Sequence, residues 1–351
     1  MTRGLPAATS TIHSETTFSM KSDSSCEGAQ SRAGFEFERR VAEAYRRLGY
    51  TVHEQQVVGG LQIDLVLERG IEKIPVEVIQ TAGAKQIDRL RRDALRLTTL
   101  RSGDVWMGKP VIVIESFESP MTRHWASHQA DVEVVRLADI EAQANAAGPT
   151  SSREAHIADP EEIEARRLDE RRKTRLLLIG QLQAHDRNVE ALSASEYEQL
   201  CMDVFIFLFD PTLLGFERQA KTTDGGNRYD FICRIAPGRP FWDTLRADFR
   251  TRALLFECKN YSQAITADQI YSTERYLFSG ALRTVCFLLA RKGGDEGCMR
   301  AAQGAMRESG KLILVLSNLD LIEMLELSDD HSGPEGVLDE RIWRFIISLP
   351  R

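Results

Sequence analysis

The sequence lacks the features that mark several classes of protein. No apolar run among its 351 residues approaches the roughly 20 needed to cross a bilayer, so we expect no membrane contact. The amino-terminal region has no apolar segment of the kind found in secretory signals. The six cysteines form no CxxC pair and no disulfide framework, which excludes an ordinary zinc ribbon. A reducing, cytoplasmic location is therefore the expectation.

The sequence also has no excess of positive charge, since its 45 Lys and Arg residues are outnumbered by 52 Asp and Glu. The formal net charge is -7, which excludes a protein coated in positive charge. Nucleic-acid binding stays open, because a nuclease needs only a local basic groove beside an acidic metal site.

The length and local composition predict two domains with a connection between them. Residues 1–30 are rich in Ser and Thr and poor in large apolar side chains, so we expect a disordered tail. The two α/β domains are expected at 31–142 and 191–351, the second ending in a helix. Residues 143–190 are interpreted as a linker followed by a charged helix, which is typical of a solvated helix face.

The two halves repeat one order of elements. In each, an amphipathic helix precedes three strands, and then helix, strand, helix and strand follow. The predicted strands are 51–58, 61–68, 74–80, 110–116 and 132–137 in the first half, and 214–222, 228–235, 253–260, 284–290 and 311–317 in the second. The pattern indicates a tandem duplication of one α/β/α fold with a mixed central sheet.

In the second half, charged residues fall on neighbouring predicted strands. Glu257 and Lys259 are two residues apart on the third strand, so their side chains share one face. Asp230 on the second strand reaches the same edge if the two strands are paired. Two close carboxylates repel each other unless a cation joins them, which favours Mg²⁺, with Mn²⁺ as an expected substitute.

Two further residues belong to this hypothesis. Lys259 is suited to orienting a metal-bound water or to stabilising the charge of the transition state. Glu198, on the opening helix of this half, is placed to complete the site. The alternative is a plain ion pair between Glu257 and Lys259 at a strand end, with Asp230 as a solvated neighbour.

The motifs of this half resemble the PD-(D/E)xK nuclease superfamily, and within it the Mrr-type restriction endonucleases, over about residues 194–320. The resemblance is carried by Tyr197-Glu198, Asp224-Gly225-Gly226 before Asp230, and Glu257-Cys258-Lys259-Asn260-Tyr261. It implies that Asp230 and Glu257 bind metal, that Lys259 assists catalysis and that Glu198 is an auxiliary acid. Gln269, on the following helix, is similar to a glutamine that some of these nucleases carry. The gap between Asp230 and Glu257 is longer than the family pattern.

The first half carries the same motif with a defect. Glu38, Asp64 and Glu77 match the acidic positions, but Ile79 stands where the lysine is expected. An isoleucine carries no charge and donates no hydrogen bond, so this site is predicted to be degenerate.

A basic helix in the first half offers a second role. Lys85, Arg89, Arg92 and Arg96 give a local surplus of positive charge that is suited to a phosphate backbone. A solvated helix face with paired charges explains the same pattern. His124 and His128 share a helical spacing, but with no third ligand we interpret them as an ordinary pair.

The function predicted is Mg²⁺-dependent hydrolysis of DNA phosphodiester bonds. The resemblance implies restriction or phage defence as the biological setting, with DNA repair as the second choice. The expected partners are a second copy of the chain, in a homodimer, or a partner protein of a defence system. The rival class is a non-catalytic module that binds nucleic acid or a partner. An RNA substrate also stays open.

Overall fold

The computed structural model describes residues 24–80, 86–102, 108–146, 160–219, 229–330 and 333–350. Most of the expected tail lies outside these ranges. The first helix begins at Ser24, so residues 24–30, which the composition assigned to the tail, are helical.

The first half forms a five-stranded mixed sheet. It consists of α1 (Ser24–Arg47), β1 (Thr51–Val58), β2 (Leu61–Arg69), β3 (Glu72–Ile79), α2 (Gln86–Ser102), β4 (Val111–Ile114), α3 (Pro120–Ser127), β5 (Glu133–Arg136) and α4 (Leu137–Ala146). The strand order is β1-β2-β3-β4-β5. The first three strands are antiparallel and the last two pairings are parallel.

A 28-residue helix, α5 (Pro160–Arg187), connects the halves. Its carboxyl-terminal part is not a solvated face, because Leu178, Leu182 and His185 are buried. The helix packs against β1 of the first sheet and against helices of the second half. The charged helix therefore belongs to the folded body rather than to a linker.

The second half repeats the first sheet. After a short 3₁₀ turn (Val189–Ala191) come α6 (Ala194–Phe209), β6 (Leu213–Arg218), β7 (Phe231–Ile235), α7 (Pro240–Asp248), β8 (Ala253–Lys259), α8 (Ala267–Glu274), β9 (Val285–Ala290), α9 (Glu296–Ser309), β10 (Leu312–Leu316), α10 (Asn318–Glu326) and α11 (Gly333–Ile347). The strand order is β6-β7-β8-β9-β10 across the sheet, with the same antiparallel and parallel pairings. The α/β class, the mixed sheets and the repeated element order are confirmed.

Two segments of the second half differ from the sequence prediction. The long gap before β8 contains α7, which begins at Pro240 and buries Trp242 and Leu245 in the core. α8 ends at Glu274, although the sequence pattern ADQIYSTERYLFSGALR (267–283) indicates a longer helix. A bridge between Phe278 and Arg283 closes a tight turn there, and Leu282 takes a left-handed φ of 55°.

The two halves share one hydrophobic core. Its buried residues include Leu90 and Leu97 of α2 together with Phe205 and Phe256 of the second half. Close backbone approaches mark the interface. A Cβ at Gly60, in the β1–β2 turn, would lie 2.4 Å from the carbonyl oxygen of Asp203 on α6. The Gly59-Gly60 turn between β1 and β2 therefore also packs against the second half.

Candidate functional site

Asp230 lies directly before β7 and is held against β8. Its Oδ2 accepts a hydrogen bond of 2.6 Å from the backbone nitrogen of Cys258. β7 and β8 are antiparallel, with Phe231 opposite Phe256, so the start of one strand meets the end of the other. The structure therefore brings Asp230 to the strand end that carries Glu257 and Lys259.

Glu257 and Lys259 project from the same face of β8. The Lys259 Nζ lies 2.6 Å from Glu257 Oε1. Glu257 is buried, and its Oε2 accepts no hydrogen bond from any residue that the structure describes. Because a buried polar atom without a partner is costly, this oxygen needs an explanation.

Glu198 approaches the two carboxylates from α6. Its Oε2 accepts a hydrogen bond of 3.0 Å from Gln219 Nε2 and lies 3.7 Å from Arg218 Nη2. Gln219 follows β6 with a left-handed φ of 52°, and its backbone nitrogen donates to Asp230 O at 2.8 Å. Sequence reasoning did not identify Gln219, since its place depends on backbone geometry that no motif records.

Burial and neighbouring charges shift the pKa values of Asp230, Glu257 and Lys259. Burial, the charge of Glu257 and the charge of Glu198 raise the pKa of Asp230 to about 7, against the hydrogen bond from Cys258. Burial also raises the pKa of Glu257, although Lys259 opposes the shift. Burial lowers the pKa of Lys259, but Glu257 and Asp230 outweigh it and the net shift is upward. A cation between the carboxylates would relieve both raised values.

The carboxylates of Asp230 and Glu257 suit a magnesium ion, which keeps waters and phosphate oxygens as ligands, better than a metal ion whose ligands all come from the protein. Within the ranges that the structure describes, no three or more His, Cys, Asp or Glu side chains form a group able to hold a metal ion. Asp230 and Glu257 provide two carboxylates, and Mg²⁺ is commonly bound by one or two carboxylates together with waters and phosphate oxygens. The unpartnered Glu257 Oε2 is an acceptor of the kind such an ion requires.

Gln269 makes a local contact at the start of α8. Its Oε1 accepts a hydrogen bond of 2.9 Å from the backbone nitrogen of Thr266 and so caps the start of α8. The pKa of Tyr276, which follows α8, is raised by burial and then by the charge of Glu257, which puts this hydroxyl within electrostatic range of the acids. Nothing in the sequence around Tyr276 indicated this place.

The first half repeats two of these contacts. Asp64 Oδ2 accepts a hydrogen bond of 2.8 Å from Val78 N, as Asp230 does from Cys258. Glu38 Oε1 accepts from Gln55 Nε2 at 2.6 Å, and Gln55 has a left-handed φ of 53°. These contacts match the Glu198–Gln219 pair of the second half. The likeness of the two halves thus extends from the element order to these individual side chains.

An arginine enters this first site. Arg96 Nη1 lies 3.5 Å from Glu77 Oε1 and 3.3 Å from Asp93 Oδ1. Its Nε and Nη2 each lie 2.7 Å from the carboxylate of Asp210, in the second half. The prediction that Arg96 binds a phosphate backbone is wrong, because its guanidinium lies in this buried cluster. Ile79 is 1% exposed and packs in the shared core.

The acids of the first site have raised pKa values. Burial and then Asp64 raise the pKa of Glu38 to about 8, against the hydrogen bond from Gln55. Burial also raises the pKa of Asp64 and, with the charge of Asp64, that of Glu77. Arg96 opposes both shifts.

The rest of the basic surface is only partly described. Arg89 and Arg92 are exposed on α2, with Arg89 Nε 3.4 Å from Asp93 Oδ2. Lys85 and the Asp224-Gly225-Gly226 segment lie outside the described residues. The rings of His124 and His128 contact each other at a tilt of 44°, with their centroids 4.2 Å apart.

Comparisons with known proteins gave no relative: no family model, no curated protein and no solved structure matches the chain. Of the helices in the described ranges, none has the length and apolar character to span a membrane. The five cysteines with described side chains, Cys201, Cys233, Cys258, Cys286 and Cys298, are free thiols.

Proposed function

We propose that the second half is a metal-dependent nuclease of the PD-(D/E)xK type that hydrolyses DNA phosphodiester bonds. The observation that supports it best is the buried Glu257 carboxylate. One oxygen accepts a hydrogen bond from Lys259, and the other is buried without a hydrogen-bond donor among the described residues. Restriction or phage defence is the proposed setting, as the resemblance to Mrr-type endonucleases implies.

Asp230 and Glu257 are the residues proposed to hold Mg²⁺, which when bound supplies Lewis-acid polarisation of a phosphate oxygen and a water of lowered pKa. Lys259 stays protonated, because Glu257 and Asp230 raise its pKa despite burial. Its ammonium group is suited to stabilising negative charge that grows on the phosphate in the transition state. Glu198, fixed by Gln219, adds negative charge on the opposite side of the site.

Purified protein, supercoiled plasmid and Mg²⁺ test the proposal. The isosteric variants Asp230→Asn and Glu257→Gln, and Lys259→Ala, are expected to cleave about 100-fold more slowly or worse. The duplication offers matched controls, since Asp64→Asn and Glu77→Gln make the same changes in the first half. Those two are expected to retain cleavage wherever they remain folded.

Equal cleavage by wild type, Glu257→Gln and Lys259→Ala would refute the proposal. A parallel assay with RNA of the same sequence decides the substrate. Faster cleavage of RNA than of DNA would replace the DNA assignment while keeping the site.

A non-catalytic nucleic-acid-binding module is the second candidate. The direct Lys259–Glu257 ion pair favours it, since a pair of this kind satisfies one oxygen of Glu257 without any metal. Under this function the plasmid is bound but not cut, and binding survives Glu257→Gln.

A further inference from the structure

The chain that follows Lys259 is anchored to the last turn of α5. His185, on α5, is fully buried. Its Nε2 lies 2.7 Å from Oδ1 of Asn260, the residue next to Lys259. Asn260 Nδ2 in turn donates to Leu192 O at 2.8 Å. The side chain after Lys259 is therefore fixed at both of its polar atoms.

The hydrogen bonds around His185 assign its proton. Asn260 Oδ1 is an acceptor, so His185 Nε2 donates to it. On the other side of the ring, Asn318 Nδ2 lies 3.2 Å from His185 Nδ1, while Asn318 Oδ1 accepts from the Tyr197 hydroxyl at 2.9 Å. Asn318 thus donates to Nδ1. A neutral imidazole with its proton on Nε2 satisfies every contact, and such satisfied buried networks hold one geometry.

Arg291 clamps the same junction. Its guanidinium is buried and donates to the carbonyls of Tyr261 (3.1 Å) and Ser262 (2.7 Å), just after Lys259. It also donates to the carbonyls of His185 (3.2 Å) and Asp186 (2.8 Å) on α5. One side chain thereby joins the end of β8 to the end of α5.

We infer that His185 and Asn260 are positioning residues for Lys259 in the proposed nuclease reaction. The inference rests on the proposed function. Neither residue reaches the two carboxylates through a described hydrogen bond. Instead they hold the backbone beside Lys259 in place. Because the Lys259 side chain is flexible, this fixed backbone limits the positions that its ammonium group can take. A misplacement of about 1 Å in such a group can cost about 100-fold in rate.

Two histidine variants separate positioning from stability. His185→Gln places an amide nitrogen close to the position of the histidine Nε2 and keeps the hydrogen bond to Asn260. His185→Asn places its amide near the position of the histidine Nδ1 and loses that hydrogen bond. His185→Asn and Asn260→Ala are expected to lower kcat by about 10- to 100-fold, with KM for plasmid changed less than about threefold. His185→Gln is expected to stay within about threefold of wild type.

Hydrogen exchange of the peptide segment 257–262 provides a readout without catalysis. Faster exchange there in His185→Asn and Asn260→Ala, with unchanged exchange in β9 and β10, is the expected result. Unchanged exchange and unchanged kcat in both variants would overturn the inference. So would equal losses of kcat in His185→Gln and His185→Asn. If wild type does not cleave at all, the proposed function fails, while the exchange comparison still decides whether the two residues hold the strand end.

Discussion

Ile79 and Lys259 occupy equivalent positions of the third strand in the two sheets, and different cations complete the two sites. In the second half Lys259 supplies its own ammonium group beside Glu257. In the first half Ile79 turns into the shared core, and the positive charge near Glu77 comes from Arg96 on α2. Arg96 is held in turn by Asp210 of the second half. This first site therefore forms part of the interface between the halves.

Glu38 gives this first site a measurable pH dependence. Its pKa in the folded protein is raised from 4.5 to about 8. Below pH 4.5 the carboxyl group is protonated in both states and costs nothing. As the pH rises from 4.5 to about 8, the unfolded chain ionises while the folded protein keeps its proton, so stability falls and then levels off. The Glu38→Gln variant has no such titration.

Thermal unfolding across this range checks the prediction. The Tm of wild type minus that of Glu38→Gln is expected to fall steadily from about pH 5 to pH 8. Glu196→Gln is the control, because hydrogen bonds from Ser193 lower the pKa of Glu196. The contribution of ionised Glu196 to stability is therefore already complete above pH 5. The Tm difference between wild type and Glu196→Gln should stay constant from pH 5 to pH 8. Parallel curves for wild type and Glu38→Gln would contradict the raised pKa.

At the scale of elements, the Gly59-Gly60 turn shows how one dipeptide serves two purposes. Both glycines have positive φ, as the β1–β2 turn requires. Gly60 also meets α6, where a Cβ would lie 2.4 Å from Asp203 O and 3.1 Å from Phe207 N. Neither atom belongs to a side chain that can move aside, so the interface depends on the missing Cβ.

Gly49 provides a matched comparison. Its φ of 86° resembles the 76° of Gly60, but a Cβ at Gly49 meets nothing within 4 Å. Gly49→Ala is expected to cost only the left-handed strain, about 1–2 kcal/mol in the free energy of unfolding. Gly60→Ala adds the clash with α6, about 1–3 kcal/mol more. Urea unfolding measures both values, and equal losses would show that the halves are not held at this turn.

The strands and their convergence were predictable from sequence, while contacts between distant elements were not. β1 has the predicted bounds, and alternation on β8 already placed Glu257 beside Lys259. Gln55 and Gln219 were missed because a left-handed residue, inside β1 for Gln55 and directly after β6 for Gln219, leaves no periodic signal. Arg96 was assigned to the surface because its local charge pattern looks like an exposed helix face. Only the docking of the second half buries it.

At the scale of the whole molecule, the shared core makes the two halves one folded body with unequal sites. The first site has Ile79 and the Arg96 cluster, and the second has Lys259. Under the proposed function each chain therefore carries one working centre. The two strands of a duplex require two separate attacks, and one centre has to turn around or dissociate between them.

The expected product of a single chain is accordingly a nicked plasmid. Open circles should accumulate first at a rate proportional to protein concentration. Linear DNA should appear later, or with a steeper concentration dependence if two chains assemble on one duplex. Adding an excess of the Lys259→Ala chain distinguishes these routes, since it suppresses linear DNA only where assembly is required. A different result would contradict this prediction: linear DNA that forms in one step, at a rate first order in protein, and that is insensitive to the inactive chain. It would mean that the first half also cuts, despite Ile79 and the presence of Arg96 in its site.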